Sequence, residues 1–137
     1  MKVALVYAST TGNTEAMANV INETLVSTGT DVVSGTADSA DAAAVTACDV
    51  ILLGSPAMGD EVLEDSMEEF YTGIEASLSG KKVGLFGSYD WGDGQWLRDW
   101  EDRVKSAGAN VTESLMVHLT PEAEDIEKCQ TWAKSIL

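Results

Sequence analysis

Lys2-Val3-Ala4-Leu5-Val6-Tyr7-Ala8-Ser9-Thr10-Thr11-Gly12-Asn13-Thr14-Glu15 changes character halfway along. Lys2–Tyr7 is a short, near-continuous apolar run, the pattern of a parallel strand buried on both faces. It stops too early to serve as the apolar region of a signal peptide. Ser9–Glu15 then gathers three threonines, a serine and an asparagine around one glycine. Beyond it, Met17, Val20, Ile21 and Leu25 fall on one helical face, and Gly29 follows as a stop. A buried strand, a polar loop and an amphipathic helix make the opening half of a β–α unit.

The rest of the chain repeats this alternation. Val50–Leu53 and Lys82–Ser88 are apolar runs, and Val32–Thr36 is a weaker strand. Asn110–Leu119 alternates, with Val111, Leu115, Val117 and Leu119 on one side, as suits a half-covered edge strand. Met67, Phe70, Tyr71, Ile74 and Leu78 share a helical face that ends at Gly80. Leu97, Trp100, Val104 and Ala107 form the next, ending at Gly108. Ile126, Cys129, Ala133 and Ile136 form the last, opened by Thr120-Pro121 as an N-cap with proline in the first helical position. A short Ala-rich helix is expected near Ser39–Thr46. Strict β–α alternation predicts an α/β fold, a five-stranded parallel sheet with helices on both faces. Right-handed crossovers leave few topologies. The order 2-1-3-4-5 sets the carboxyl ends of the first and third strands side by side, where a ligand crevice opens. Residues 1–137 read as a single domain, without a linker or internal repeat.

Charge narrows the function. The chain holds 8 Lys plus Arg against 23 Asp plus Glu, a formal net charge of −15. Nucleic acid demands a basic surface, and anionic membranes attract one, so neither is an expected partner. Proteins with basic docking surfaces are favoured by electrostatic steering; mere solubility explains the acidity equally well. No stretch approaches the roughly 18 apolar residues of a membrane span. Cys48 and Cys129 supply neither a disulfide framework nor metal-ligand spacing, and reduced cytoplasmic thiols are expected.

The loop after the first strand carries the chemistry. The first-turn N–H groups of a helix lack intrahelical partners and carry partial positive charge. With hydroxyls around them they form an anion site, and Gly12 lets the backbone come close. No Lys or Arg lies between Tyr7 and Glu23. The G-x-x-x-x-G-K-[ST] loop of nucleoside-triphosphate sites and the G-x-G-x-x-G of dinucleotide sites are both missing. The loop suits one terminal phosphate monoester held by neutral donors.

Ser9-Thr10-Thr11-Gly12-Asn13-Thr14 resembles the phosphate loop of flavodoxins, T/S-x-T-G-x-T. Ser55-Pro56-Ala57-Met58-Gly59-Asp60-Glu61 and Gly84-Leu85-Phe86-Gly87-Ser88-Tyr89, followed by Trp91-Gly92, resemble that family's two flavin-flanking loops. The resemblance spans nearly the whole chain and is to the short-chain clostridial type, without an insertion in the fifth strand. Flavodoxins are a standing instance of the switch-point rule, so topology and resemblance are not independent. The resemblance implies one FMN and a low-potential one-electron carrier, not an enzyme. Such a carrier shuttles electrons between redox enzymes such as ferredoxin-type oxidoreductases and reductases, in place of ferredoxin. It is expected to be monomeric and cytoplasmic. The phosphate would rest on Ser9, Thr11, Asn13 and Thr14, within a loop that includes Thr10 and Gly12. Pro56, Ala57, Met58, Gly59, Asp60 and Glu61 would flank the ring on one side, and Ser88, Tyr89, Asp90, Trp91 and Gly92 on the other.

Within that family reading, the Gly59–Asp60 peptide flips on one-electron reduction. The Gly59 carbonyl then accepts a hydrogen bond from the protonated N5 of the neutral semiquinone. One net hydrogen bond is worth about 0.5–1.5 kcal/mol, a bias of up to one order of magnitude. On the motif alone, a plain tight turn explains Gly59 as well. Glu61 would accept from the ring N3–H, Met58 would cover one ring face and Trp91 would stack on the other. Methionine and tryptophan are more often core fillers, although Asp90-Trp91-Gly92-Asp93-Gly94 is too loop-like and acidic to be core. Asp60, Glu61, Glu64, Asp65, Glu68 and Glu69 crowd one loop; Asp90, Asp93, Asp99, Glu101 and Asp102 crowd the other, with only Arg98 and Arg103 nearby. Such runs are usually solvated faces. Near an anionic reduced flavin they would also lower its potential. Asp90 departs from the Gly that many short-chain members carry there, which leaves its backbone contacts to the ring open. His118 reads as structural and distant from these loops.

The alternatives are an FMN-dependent reductase and a partner-specific flavoprotein such as a ribonucleotide reductase activator. No general acid, base or nucleophile constellation favours the former. Receiver domains share this strand order, but Tyr7-Ala8 and Leu53-Gly54 occupy the places their acidic residues need.

Overall fold

The computed structural model describes residues 2–58, 62–90 and 92–137. The strands are β1 (Lys2–Tyr7), β2 (Asp31–Thr36), β3 (Val50–Gly54), β4 (Lys82–Tyr89), β5 (Asn110–Val111) and β6 (Leu115–His118). The helices are α1 (Asn13–Ser27), α2 (Ala42–Thr46), α3 (Asp65–Ile74), α4 (Gln95–Ser106) and α5 (Ala123–Ile136). The sheet runs β2-β1-β3-β4-β5, parallel throughout, and β6 also pairs with β4. This is the expected order.

Alternation along the strands builds two apolar layers. On one face Ala4, Val6, Ile51, Leu53, Val83 and Leu85 meet Met67, Tyr71 and Ile74 of α3 and Trp96, Trp100 and Val104 of α4. On the other, Val3, Leu5, Leu52 and Phe86 meet Met17, Ile21 and Leu25 of α1 and Cys129, Trp132, Ala133 and Ile136 of α5. All five residues of β3 are buried, so both of its faces are committed to the core. Trp96 and Trp132, outside the helical faces traced from the sequence, belong to these layers as well.

The edge strand differs from expectation. Asn110–Leu119 is two pieces. Val83 pairs with Val111 and Phe86 with Leu115, so three steps along β4 are matched by four along the edge. The extra residue is a bulge, and it exchanges the faces. Val111 packs into the α3–α4 layer, whereas Leu115 and Val117 face α1 and α5. Leu119 is 42% exposed and turns left-handed, with φ of 60°. The indole of Trp132 donates to the Glu113 carbonyl at 2.5 Å, satisfying backbone that the bulge leaves unpaired.

The last helix also starts later than expected. Its N-cap is Glu122, and Glu122 and Asp125 form a reciprocal capping box, the Glu122 N–H donating to Asp125 Oδ2 at 3.1 Å. Two otherwise partnerless amides are satisfied at once, which a threonine N-cap at position 120 would not achieve. The side chains of Asp41 and Glu64 cap α2 and α3. The thiols of Cys48 and Cys129 are buried and free. Burial pushes the Cys48 thiol up and the Cys129 thiol up to about 11. Among the described residues no helix is long and apolar enough to cross a membrane.

At Gly87 the sheet passes so close to the next loop that a Cβ would overlap the Ser55 carbonyl oxygen and approach Trp96 to 2.8 Å. Gly87→Ala is expected to cost about 1–3 kcal/mol, the range for overpacking a tight site. A denaturant midpoint that does not fall would refute this reading.

Candidate functional site

Three loops leave the carboxyl ends of β1, β3 and β4, and the ladder runs on into them. The Ala8 N–H donates to Gly54 O at 2.9 Å, Ser55 N–H to Phe86 O at 3.1 Å, and Ala57 N–H to Ser88 O at 2.9 Å. These bonds bring the loops to one level and hold them side by side. Between them opens a cleft of about 210 Å3 walled by Thr10, Thr11, Asn13, Pro56, Ala57, Met58, Ser88, Tyr89 and Asp90. All nine residues were singled out from the sequence, three from each loop.

Ser9, Gly12 and Thr14 stand behind the wall. Gly12 caps α1 with φ of 90°, the left-handed backbone that favours glycine. No side chain caps α1 in the usual way. Instead Ser9 Oγ accepts from the Gly12 N–H at 3.1 Å and the Glu15 N–H at 3.3 Å. The loop's amide donors thus converge on an oxygen. Thr14 is 1% exposed and turned inward, its hydroxyl 2.6 Å from that of Ser88, which is 3% exposed. That bond joins the first loop to the third. The chain carries no Lys or Arg between Lys2 and Lys81. The donors that the first loop itself can offer an anion are therefore amides and hydroxyls.

The second loop is pinned at both ends. Met58 and Val62 exchange two backbone hydrogen bonds of 2.9 Å. Ser55 Oγ accepts from the Glu64 N–H at 3.1 Å, and Glu64 caps α3. The Thr10 hydroxyl lies 4.0 Å from Met58 Sδ, so the first and second loops touch at the mouth. Gly59, Asp60, Glu61 and Trp91 lie outside the described residues. Gly92, with φ of 88°, is exposed beyond the cleft wall.

Some of the acids counted as a field around the site have local work. Glu68 takes a forked hydrogen bond from Arg103, at 2.7 and 3.0 Å, and this partner holds its carboxyl below the usual range. Arg98 grips Asp93 at 2.9 Å. Both arginines near the loops are thereby engaged.

His118 is not distant. Its Nε2 lies 2.9 Å from the Asp90 carbonyl oxygen, and its ring packs against Tyr89 with centroids 4.9 Å apart. The Thr120 hydroxyl donates to Asn13 Oδ1 at 2.7 Å. No sequence motif places either residue at the cleft; only the pairing of β6 with β4 and the start of α5 beside α1 bring them here.

The flavodoxin family profile matches residues 5–132. The chain belongs to the flavodoxin family. It is 49% identical to a flavodoxin of Megasphaera elsdenii over 121 residues, covering 88% of each chain. With a flavodoxin of Clostridium beijerinckii it shares 41% over 133 residues and 96% of each chain. Its fold matches the solution structure of two-electron reduced Megasphaera elsdenii flavodoxin with a TM-score of 0.87 at 45% identity, over 97% of this chain and 98% of that one. As a flavodoxin the chain is an FMN-binding electron-transfer protein that works with redox partners, and not an enzyme.

The buried Thr14–Ser88 bond gives a clean test of how the loops are joined. Thr14→Val leaves the Ser88 hydroxyl unpaired in the core, which costs about 1–3 kcal/mol. Thr14→Val combined with Ser88→Ala removes both partners and is expected to cost less than the sum of the single changes. Additive losses in urea unfolding would contradict the pairing.

Proposed function

We propose that FMN lies in the cleft with its phosphate on the Ser9–Thr14 loop and its ring between the second and third loops. The observation that carries this is the cradle itself: amides converging on one oxygen, at a helix N-terminus, without a basic side chain in that part of the chain. A dianionic phosphate there meets only neutral donors and the helix dipole. Thr10, Thr11 and Asn13 face it, and Ser9, Gly12 and Thr14 shape the loop that holds it. Pro56, Ala57 and Met58 line one side of the ring, and Ser88, Tyr89 and Asp90 the other, with Gly92 of the same loop beyond the wall. Gly59, Asp60, Glu61 and Trp91 complete the ring site on the strength of sequence and family.

When bound, the flavin supplies reversible one-electron chemistry. The protein's part is to bind it, shield it and bias its oxidation states. A Gly59–Asp60 peptide flip favours the half-reduced state through one added hydrogen bond. Acidic residues oppose the anionic, fully reduced state, so the second reduction step falls at low potential. A net charge of −15 supports docking on basic surfaces of ferredoxin-type oxidoreductases and reductases, in place of ferredoxin. The chain acts as one FMN-binding domain over 1–137, as a cytoplasmic monomer; one continuous sheet and two free buried thiols support this reading.

The purified protein is expected to be yellow, to keep its flavin through desalting and to turn blue on partial reduction by dithionite. Colourless protein that ignores added FMN would overturn the proposal. Gly59→Val should lower the yield of the blue form by up to about tenfold, the equivalent of one net hydrogen bond, while oxidised FMN stays bound. An unchanged yield would remove the flip.

A further inference from the structure

The connection from β6 to α5 places three consecutive residues on two different loops of the cleft. His118 Nε2 lies 2.9 Å from the Asp90 carbonyl oxygen. The Leu119 N–H donates to Tyr89 O at 2.8 Å. The Thr120 hydroxyl donates to Asn13 Oδ1 at 2.7 Å, across 107 positions of sequence. Leu119 is left-handed, with φ of 60°, and is the only such non-glycine among the described residues. A leucine adopts that backbone only where its surroundings hold it. Here it turns the chain from the third loop toward the first.

We propose that Thr120 is a positioning residue for the cofactor phosphate, acting through the side-chain amide of Asn13. This rests on the reading that FMN phosphate occupies the first loop. Asn13 opens α1 and lines the cleft. Its amide has an acceptor edge and a donor edge. With Oδ1 on the Thr120 hydroxyl, the NH2 group is the edge left for an anion. The reverse arrangement sets the amide carbonyl against phosphate oxygen, acceptor facing acceptor. The two contacts are both attractive in one orientation only. Thr120 thus holds the Asn13 amide from outside the loop, and its hydroxyl donates in the one orientation that presents the NH2 group to the anion. Because the loop has no Lys or Arg, each neutral donor carries a larger share of the binding.

The test compares FMN with riboflavin, which lacks the phosphate. Apoprotein of the wild type, Thr120→Val and Thr120→Ser is titrated with each flavin by fluorescence quenching. Inorganic phosphate is then used as a competitor against FMN. Thr120→Val should weaken FMN binding about tenfold, the fold-change of one net hydrogen bond. It should leave riboflavin binding unchanged and, with FMN held at the same multiple of its Kd in each variant, raise the phosphate concentration needed to compete. Thr120→Ser should restore the wild-type values. Thermal unfolding of the three apoproteins reports whether the fold survives, and the flavin comparison is made at a temperature where all are folded. Equal losses for FMN and riboflavin, or none for FMN, would overturn the proposal and leave the FMN site standing. A wild type that binds riboflavin as tightly as FMN would overturn the phosphate reading itself.

Discussion

A strand buried on both faces has its side chains committed to the core, and β3 is buried along its whole length. Its neighbours β1 and β4 are nearly so. What such strands can offer to solvent is their ends. Because all run in one direction, the carboxyl ends gather at one edge of the sheet, and the chain must leave each by a loop that starts a helix. The cleft follows from that constraint. Each loop is pinned to its neighbour by continued ladder bonds, Ala8 to Gly54, Ser55 to Phe86 and Ala57 to Ser88.

The electrostatics of the cleft resolve an apparent conflict. A chain of net charge −15 belongs to a family that binds a phosphorylated cofactor, and the first loop of its cleft carries no cation. Helix dipole and backbone amides act on an anion at contact distance, whereas surface carboxylates are screened over about 8–10 Å at ordinary ionic strength. The acids are also not one undivided field. Glu64 caps a helix, and Glu68 and Asp93 are paired with arginines. The other surface carboxylates set the long-range negative field of the molecule.

Much was legible in the linear chain because period-two and period-3.6 patterns are local. The strands at Lys2–Tyr7 and Lys82–Ser88, four helical faces and the three cleft loops could all be traced in this way. The misreadings share a cause. Val111 and Leu115 have the same parity, yet they face opposite layers, because one extra residue between them has no sequence mark. Thr120-Pro121 resembles a helix start, but the Glu122–Asp125 box two residues on satisfies more amides. His118 has no motif at all.

The sequence by itself determined the α/β alternation, the identity of the three loops and the absence of cations from the first, since these depend on residues near one another in the chain. Only the tertiary structure decided that Thr14 meets Ser88, that Thr120 meets Asn13 and that His118 meets Asp90. Each joins segments separated by 28 to 107 positions. Such partners are chosen by strand register and helix placement, which are properties of the packed sheet and of no single stretch of chain.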